Sequence, residues 1–158
     1  MATQKSAACI ANYAPDAPDG NIKCRIGTWT YTDDGAAAIA DVLQMVPVPK
    51  GAQIIDIKLA WTALSAGVFN VGDADDPDRF FLALVANDVG RISMFGGFDG
   101  STNSDEDAVC GATKANLGYE YTVADTIDIT LTSAAVEASD EITMAVLYKV
   151  IGGIADET

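Results

Sequence analysis

From residue 22 onward, apolar and polar positions alternate with a period of two. Ile22, Cys24 and Ile26 share one phase, with Lys23 and Arg25 in the other. Ile55, Ile57, Leu59 and Trp61 alternate with Asp56, Lys58, Ala60 and Thr62. The same alternation sets Ile127, Ile129 and Leu131 against Asp128, Thr130 and Thr132. It recurs in Ile142, Met144, Val146, Tyr148 and Val150, which alternate with Thr143, Ala145, Leu147 and Lys149. Successive strand side chains point to opposite faces, so the pattern predicts strands with one buried face. Segments 42–46, 68–71, 80–85, 91–95 and 118–122 are shorter candidates, which brings the expected total to about nine strands. Turn clusters separate them: Asp33-Asp34-Gly35, Pro49-Lys50-Gly51, Asp99-Gly100 and the stretch 101–107. Helical spacing is weak, with single turns at most over 36–40 and 133–138, and no strand–helix–strand alternation supports a parallel sheet. The expected fold is all-β, an antiparallel β-sandwich with jelly-roll topology.

Residues 1–20 break the pattern. Asn12-Tyr13-Ala14-Pro15-Asp16-Ala17-Pro18-Asp19-Gly20 carries two prolines, which remove amide donors and push their predecessors toward extended backbone. The segment reads as an extended N-terminal arm, with Ile10 and Tyr13 as its anchors on a neighbour. The expected organisation is an arm over 1–20, a sandwich over 21–152 and a short tail over 153–158. The opening residues form neither a secretory signal nor a transit peptide. No apolar run approaches the ~18 residues of a membrane helix. A soluble chain made in a cytoplasm is the expectation.

Composition narrows the chemistry. Nine Lys and Arg face 23 Asp and Glu, a formal charge of −14, so binding to nucleic acid or to anionic lipid is not expected. There is no histidine, which excludes Ser-His-Asp and Cys-His hydrolases and imidazole metal sites. Cys9, Cys24 and Cys110 form no C-x-x-C pair and read as free, mostly buried thiols; the alternative is a Cys9–Cys24 bridge. The stretch Asp73-Ala74-Asp75-Asp76-Pro77-Asp78-Arg79 is rich in oxygen ligands. An EF-hand counted from Asp73 would need Gly and Glu where Asp78 and Leu84 stand, so that motif is rejected. Asp73, Asp75, Asp76 and Asp78 remain weak candidates for another calcium site. The simpler reading is a turn capped by its own aspartates, with Arg79 paired to Asp76 or Asp78. Neither phosphate-loop pattern occurs among the glycines. No enzyme activity, cofactor or firm metal site is expected.

Three segments resemble a known group: Val46-Pro47-Val48-Pro49-Lys50-Gly51-Ala52-Gln53-Ile54-Ile55-Asp56-Ile57-Lys58-Leu59-Ala60-Trp61, then Val71-Gly72-Asp73-Ala74-Asp75-Asp76-Pro77-Asp78-Arg79-Phe80, and then the stretch from Gly118-Tyr119-Glu120-Tyr121 to Leu131, followed by Ile142 to Val150. Together they are similar to small structural proteins of tailed bacteriophages. The resemblance implies a head decoration (cement) protein with a jelly-roll sandwich. Such proteins are commonly homotrimers on the outer surface of the capsid, bound to the major capsid protein between capsomers. On that reading Val68, Phe69, Phe81 and Phe98 join Ile10 and Tyr13 as candidate contact residues. A trimeric tail or baseplate fibre module, binding a receptor or glycan, is the alternative.

Overall fold

In a computed structural model, the structure describes residues 2–6, 21–30, 37–62, 64, 67–94, 118–133, 135 and 140–151. These residues form nine strands: β1 (Thr3–Lys5), β2 (Ile22–Thr30), β3 (Val42–Val48), β4 (Ala52–Trp61), β5 (Val68–Gly72), β6 (Phe81–Val85), β7 (Gly90–Ser93), β8 (Asp125–Leu131) and β9 (Glu141–Val150). One sheet has the order β1-β3-β8-β5-β6 and the other β2-β9-β4-β7. Apart from β5 and β6, consecutive strands lie in different sheets. Every pair is antiparallel except β1–β3. Strands β2 to β9 are therefore a jelly roll, two four-stranded sheets facing each other, with β1 added at one edge. Among the described residues there is no helix.

The alternating apolar phases meet between the sheets. Ile142, Met144, Val146, Tyr148 and Val150 of β9 are all buried, as are Ile127, Ile129 and Leu131 of β8. Trp61 of β4 packs edge to face on Phe69 of β5, with ring centroids 5.6 Å apart, joining one sheet to the other. Two departures from simple alternation matter. A bulge between Ile54 and Asp56 shifts the β4 register, so Ile54 takes the core position expected of Ile55. In β2 the expected phase is reversed: Ile22 and Ile26 are 65% and 60% exposed, while Trp29 is buried.

The opening residues are not wholly an arm. Strand β1 pairs parallel with β3, Ser6 donates Oγ–H to the Met45 carbonyl at 2.5 Å, and Trp29 Nε1 donates to Gln4 Oε1 at 3.1 Å. Gly27 permits this closure, because a Cβ there would collide with the Met45 carbonyl. Residues 7–20 lie outside the described residues. Segment 118–122 is not a strand; Glu120 makes one isolated bridge to Gln53.

Candidate functional site

The acidic stretch after β5 folds into a brace around Asp73. Gly72 lets the chain turn back on itself, since a Cβ at this position would meet the Asp76 and Pro77 backbone. Asp73 accepts amide hydrogens from Asp75 at 3.2 Å and Asp76 at 2.9 Å, which caps the turn. Its carboxylate also receives Arg79 Nε at 2.6 Å and Nη2 at 3.2 Å, and the Tyr121 hydroxyl at 3.0 Å. The Arg79 guanidinium lies 4.1 Å from the Tyr119 ring centre, a cation–π contact. Tyr119 in turn stands edge-on to Tyr121 and Phe80. Thus the Asp73–Arg79 ion pair closes the loop on itself, and the Tyr121 hydroxyl, the Arg79–Tyr119 contact and the Phe80–Tyr119 edge contact tie it to the 119–121 segment. The expected pair of Arg79 with Asp76 is present at 3.8 Å, but the shorter partner, at 2.6 Å, is Asp73, which was not expected.

Negative charge is crowded at this end of the sandwich. A hydrogen bond to the Asp76 side chain holds the Asp78 carboxyl above the usual carboxylate range. Burial raises Asp125, and the charges of Asp73 and Asp75 add to the effect. Asp128 sits on the outer face of β8, opposite Gly72, and is buried. Burial pushes its carboxyl up to about 7 against the opposing pull of the Thr126 side chain, and the charges of Asp125 and Asp73 assist. Its Oδ1 and the Thr126 hydroxyl have no hydrogen-bond partner. Burial, followed by the Asp73 charge, drives Tyr121 far above its ordinary range, which keeps its hydroxyl a donor. Asp73 thus spends its oxygens on protein donors. Among the described residues no group of three Cys, Asp or Glu is placed to hold a metal ion.

The outer face of the four-stranded sheet has a different character. Strand register sets Ile26 beside Ala145 and Ala145 beside Lys58; one row along, Cys24 lies beside Leu147. Ile22 stands beside Lys149. This is a ribbon of exposed and half-buried apolar side chains with lysines at its borders. At the rim between the sheets, a groove of about 560 Å³ has Lys5, Arg25 and Lys50 among its lining residues, with Asp125 opposite. Arg25 donates to the Pro47 carbonyl at 3.0 Å there.

The contact residues expected from sequence are scattered. Phe69 and Phe81 are fully buried and belong to the chain's own core, so they offer nothing to a neighbour. Val68 is half-buried on β5. Ile10, Tyr13 and Phe98 lie outside the described residues, as do Cys9 and Cys110. Cys24 is a free thiol and exposed, contrary to the expected burial. Sequence reasoning missed Tyr119, Tyr121 and Asp128. The first two stood in a segment read as a strand and as part of the resemblance, with no role given to either ring, and Asp128 occupied an ordinary polar phase.

No family model and no curated protein matches this sequence. Solved structures do. The fold is similar to a chain from the capsid of Ralstonia phage GP4, with a TM-score of 0.68 at 16% identity, covering 96% of this chain and 99% of that one. It is also similar to a chain of the cyanophage Pam1 capsid asymmetric unit, with a TM-score of 0.60 at 23% identity and coverage of 87% and 91%. A chain in the acidic stable capsid structure of Helicobacter pylori bacteriophage KHP30 gives a TM-score of 0.50 at 13% identity, covering 83% of this chain and 89% of that one. The jelly roll described above is therefore a fold that phage capsids contain.

Proposed function

We propose that this chain is a non-enzymatic structural protein of a bacteriophage virion, a decoration protein that binds the outer surface of the expanded head as a homotrimer. The observation that carries this reading is the end-to-end match with a chain of a phage capsid, 96% of this chain against 99% of the other. The physical case is consistent. A rigid sandwich spanning a seam between shell subunits opposes outward pressure, and its binding free energy adds to shell stability because it binds only the assembled state. Joining copies into one oligomer multiplies weak contacts through effective concentration. A charge of −14 discourages adhesion to packaged nucleic acid and keeps free copies soluble. The brace around Asp73 uses its acid groups for rigidity, which suits a load-bearing shell component.

Cosedimentation with undecorated phage heads tests the proposal. Saturable binding to expanded heads, and none to unexpanded proheads, is the expected result. Absence of binding to both overturns the decoration reading and favours the fibre or glycan-binding module.

A further inference from the structure

The outer face of the four-stranded sheet pairs exposed isoleucines with cations in a strongly acidic protein. Its outward phase carries Lys58, Arg91 and Lys149 against Asp56 and Glu141, whereas Lys23 and Arg25 pair with Tyr148 and Val146 in the opposite phase. Three cations against two acids leave this face with an excess of one positive charge in a chain of −14. Asp56 is buried and receives the Ser93 hydroxyl, so its charge is held within the sheet. The apolar centre of the face is Ile22, Cys24 and Ile26 on β2, with Ala145 and Leu147 beside them on β9. Long edge strands with exposed apolar side chains are normally blunted or covered. A contiguous apolar patch rimmed by charge marks an interaction surface.

The chain also carries the complementary surface. At the end that holds the Asp73 brace, Asp75 and Glu120 are exposed, and Val123, two residues beyond the Tyr121 that bonds Asp73, is 62% exposed. Asp73, Asp75 and Asp125 crowd negative charge at this end, which an incoming lysine would offset. Two copies meeting through the same sheet face would oppose lysine with lysine. A sheet face meeting an acidic end matches opposite charges, and it places Val123 against the isoleucines.

We propose that a second copy of this chain docks its acidic end, around Asp75 and Val123, onto the Ile22–Ile26 and Lys149 face of the first, so that copies join head to tail. Such a heterologous contact closes into a ring when its rotation allows. The inference rests on the oligomeric reading above and names the surfaces that build the oligomer. It also leaves the outer face of the five-stranded sheet open for the shell.

Sedimentation velocity on the full chain tests it with two variants. Ile26→Asp damages the sheet face, and Asp75→Lys/Val123→Lys damages the acidic end. All three positions are at the surface, so circular dichroism spectra matching the wild type are expected for both variants. Each variant alone is expected to sediment as a 16.4 kDa monomer where the wild type forms a ring. An equimolar mixture retains one intact face and one intact end, and it is expected to give a two-chain complex. A monomeric wild type, an Ile26→Asp ring, or a mixture that stays monomeric would each overturn the contact. So would an Ile26→Asp protein that still forms a ring but no longer binds expanded heads, because the face would then belong to the shell. A wild-type ring with both variants behaving as expected, yet no binding to heads, supports the contact and overturns the decoration reading alone.

Discussion

At the scale of single residues, the brace and the buried Asp128 carboxyl make opposite predictions. The Arg79 and Asp73 side chains are 14% and 1% exposed, so removing the guanidinium leaves a buried carboxylate without its cation. Breaking such a pair costs about 3–5 kcal/mol, and the remaining Tyr121 and amide donors place Arg79→Met near the lower end. Urea unfolding is expected to show that loss, with Arg79→Lys recovering only part of it, since an ammonium cannot supply the forked donors. A loss below the error of the extrapolation would mean that the pair is dispensable. Asp128 behaves differently. Its folded pKa of about 7 lies above the unfolded value of roughly 3.9, so the folded state binds the proton more tightly. Stability from this group is full below pH 4, falls as pH rises toward 7, and stays low above that. Asp128→Asn should therefore raise the thermal midpoint at pH 8 and change it little at pH 4.5. Equal effects at both pH values would contradict the titration. The sequence displays Asp128 as an unremarkable polar position between Ile127 and Ile129. What makes it costly is the fold-back of the 73–78 loop at Gly72, a tertiary event that strand periodicity does not encode.

At the scale of elements, periodicity was informative wherever a strand buries one face for its whole length. Strands β8 and β9 obey it without exception at their core positions. It failed in β4, where a bulge moves the core phase from Ile55 to Ile54, because an inserted residue preserves composition while flipping the phase. It failed again in β2, whose isoleucines face outward. Alternation identifies two faces, but what covers each face is decided by other elements, or by other molecules. Strand β1 was hidden for a related reason. Thr3, Gln4 and Lys5 are polar and too few to show a period, and they are recruited by the exposed edge of β3 and the indole of Trp29. Deleting residues 1–6 removes the Ser6 hydrogen bonds to Gln44 and Met45 and that from Trp29 to Gln4. At about 1 kcal/mol for each, a loss of roughly 2–4 kcal/mol is expected, together with a red shift in tryptophan fluorescence as Trp29 meets water. Unchanged stability and emission would show that β1 adds nothing to the sandwich.

At the scale of the whole molecule, charge ties stability to pH. Asp78, Asp125 and Asp128 all have folded pKa values above their ordinary ones, so each favours folding more as pH falls through its folded value. Asp41 opposes them. Amide hydrogen bonds from Ala38 and Ala2 lower its pKa, so its stabilisation is present above the unfolded value and disappears only as pH drops below it. Between neutrality and about pH 5 the first group dominates, because Asp41 remains ionised throughout that interval. Protonation also reduces the self-repulsion of a chain with a formal charge of −14. The thermal midpoint is thus expected to rise from pH 8 to pH 5 and to turn down only at lower pH, where Asp41 loses its charge. Calorimetry on the monomeric Ile26→Asp variant separates this intrinsic effect from assembly. A midpoint that falls steadily from pH 8 to pH 5 in the monomer would mean that the crowded acids at the Asp73 end do not govern the fold.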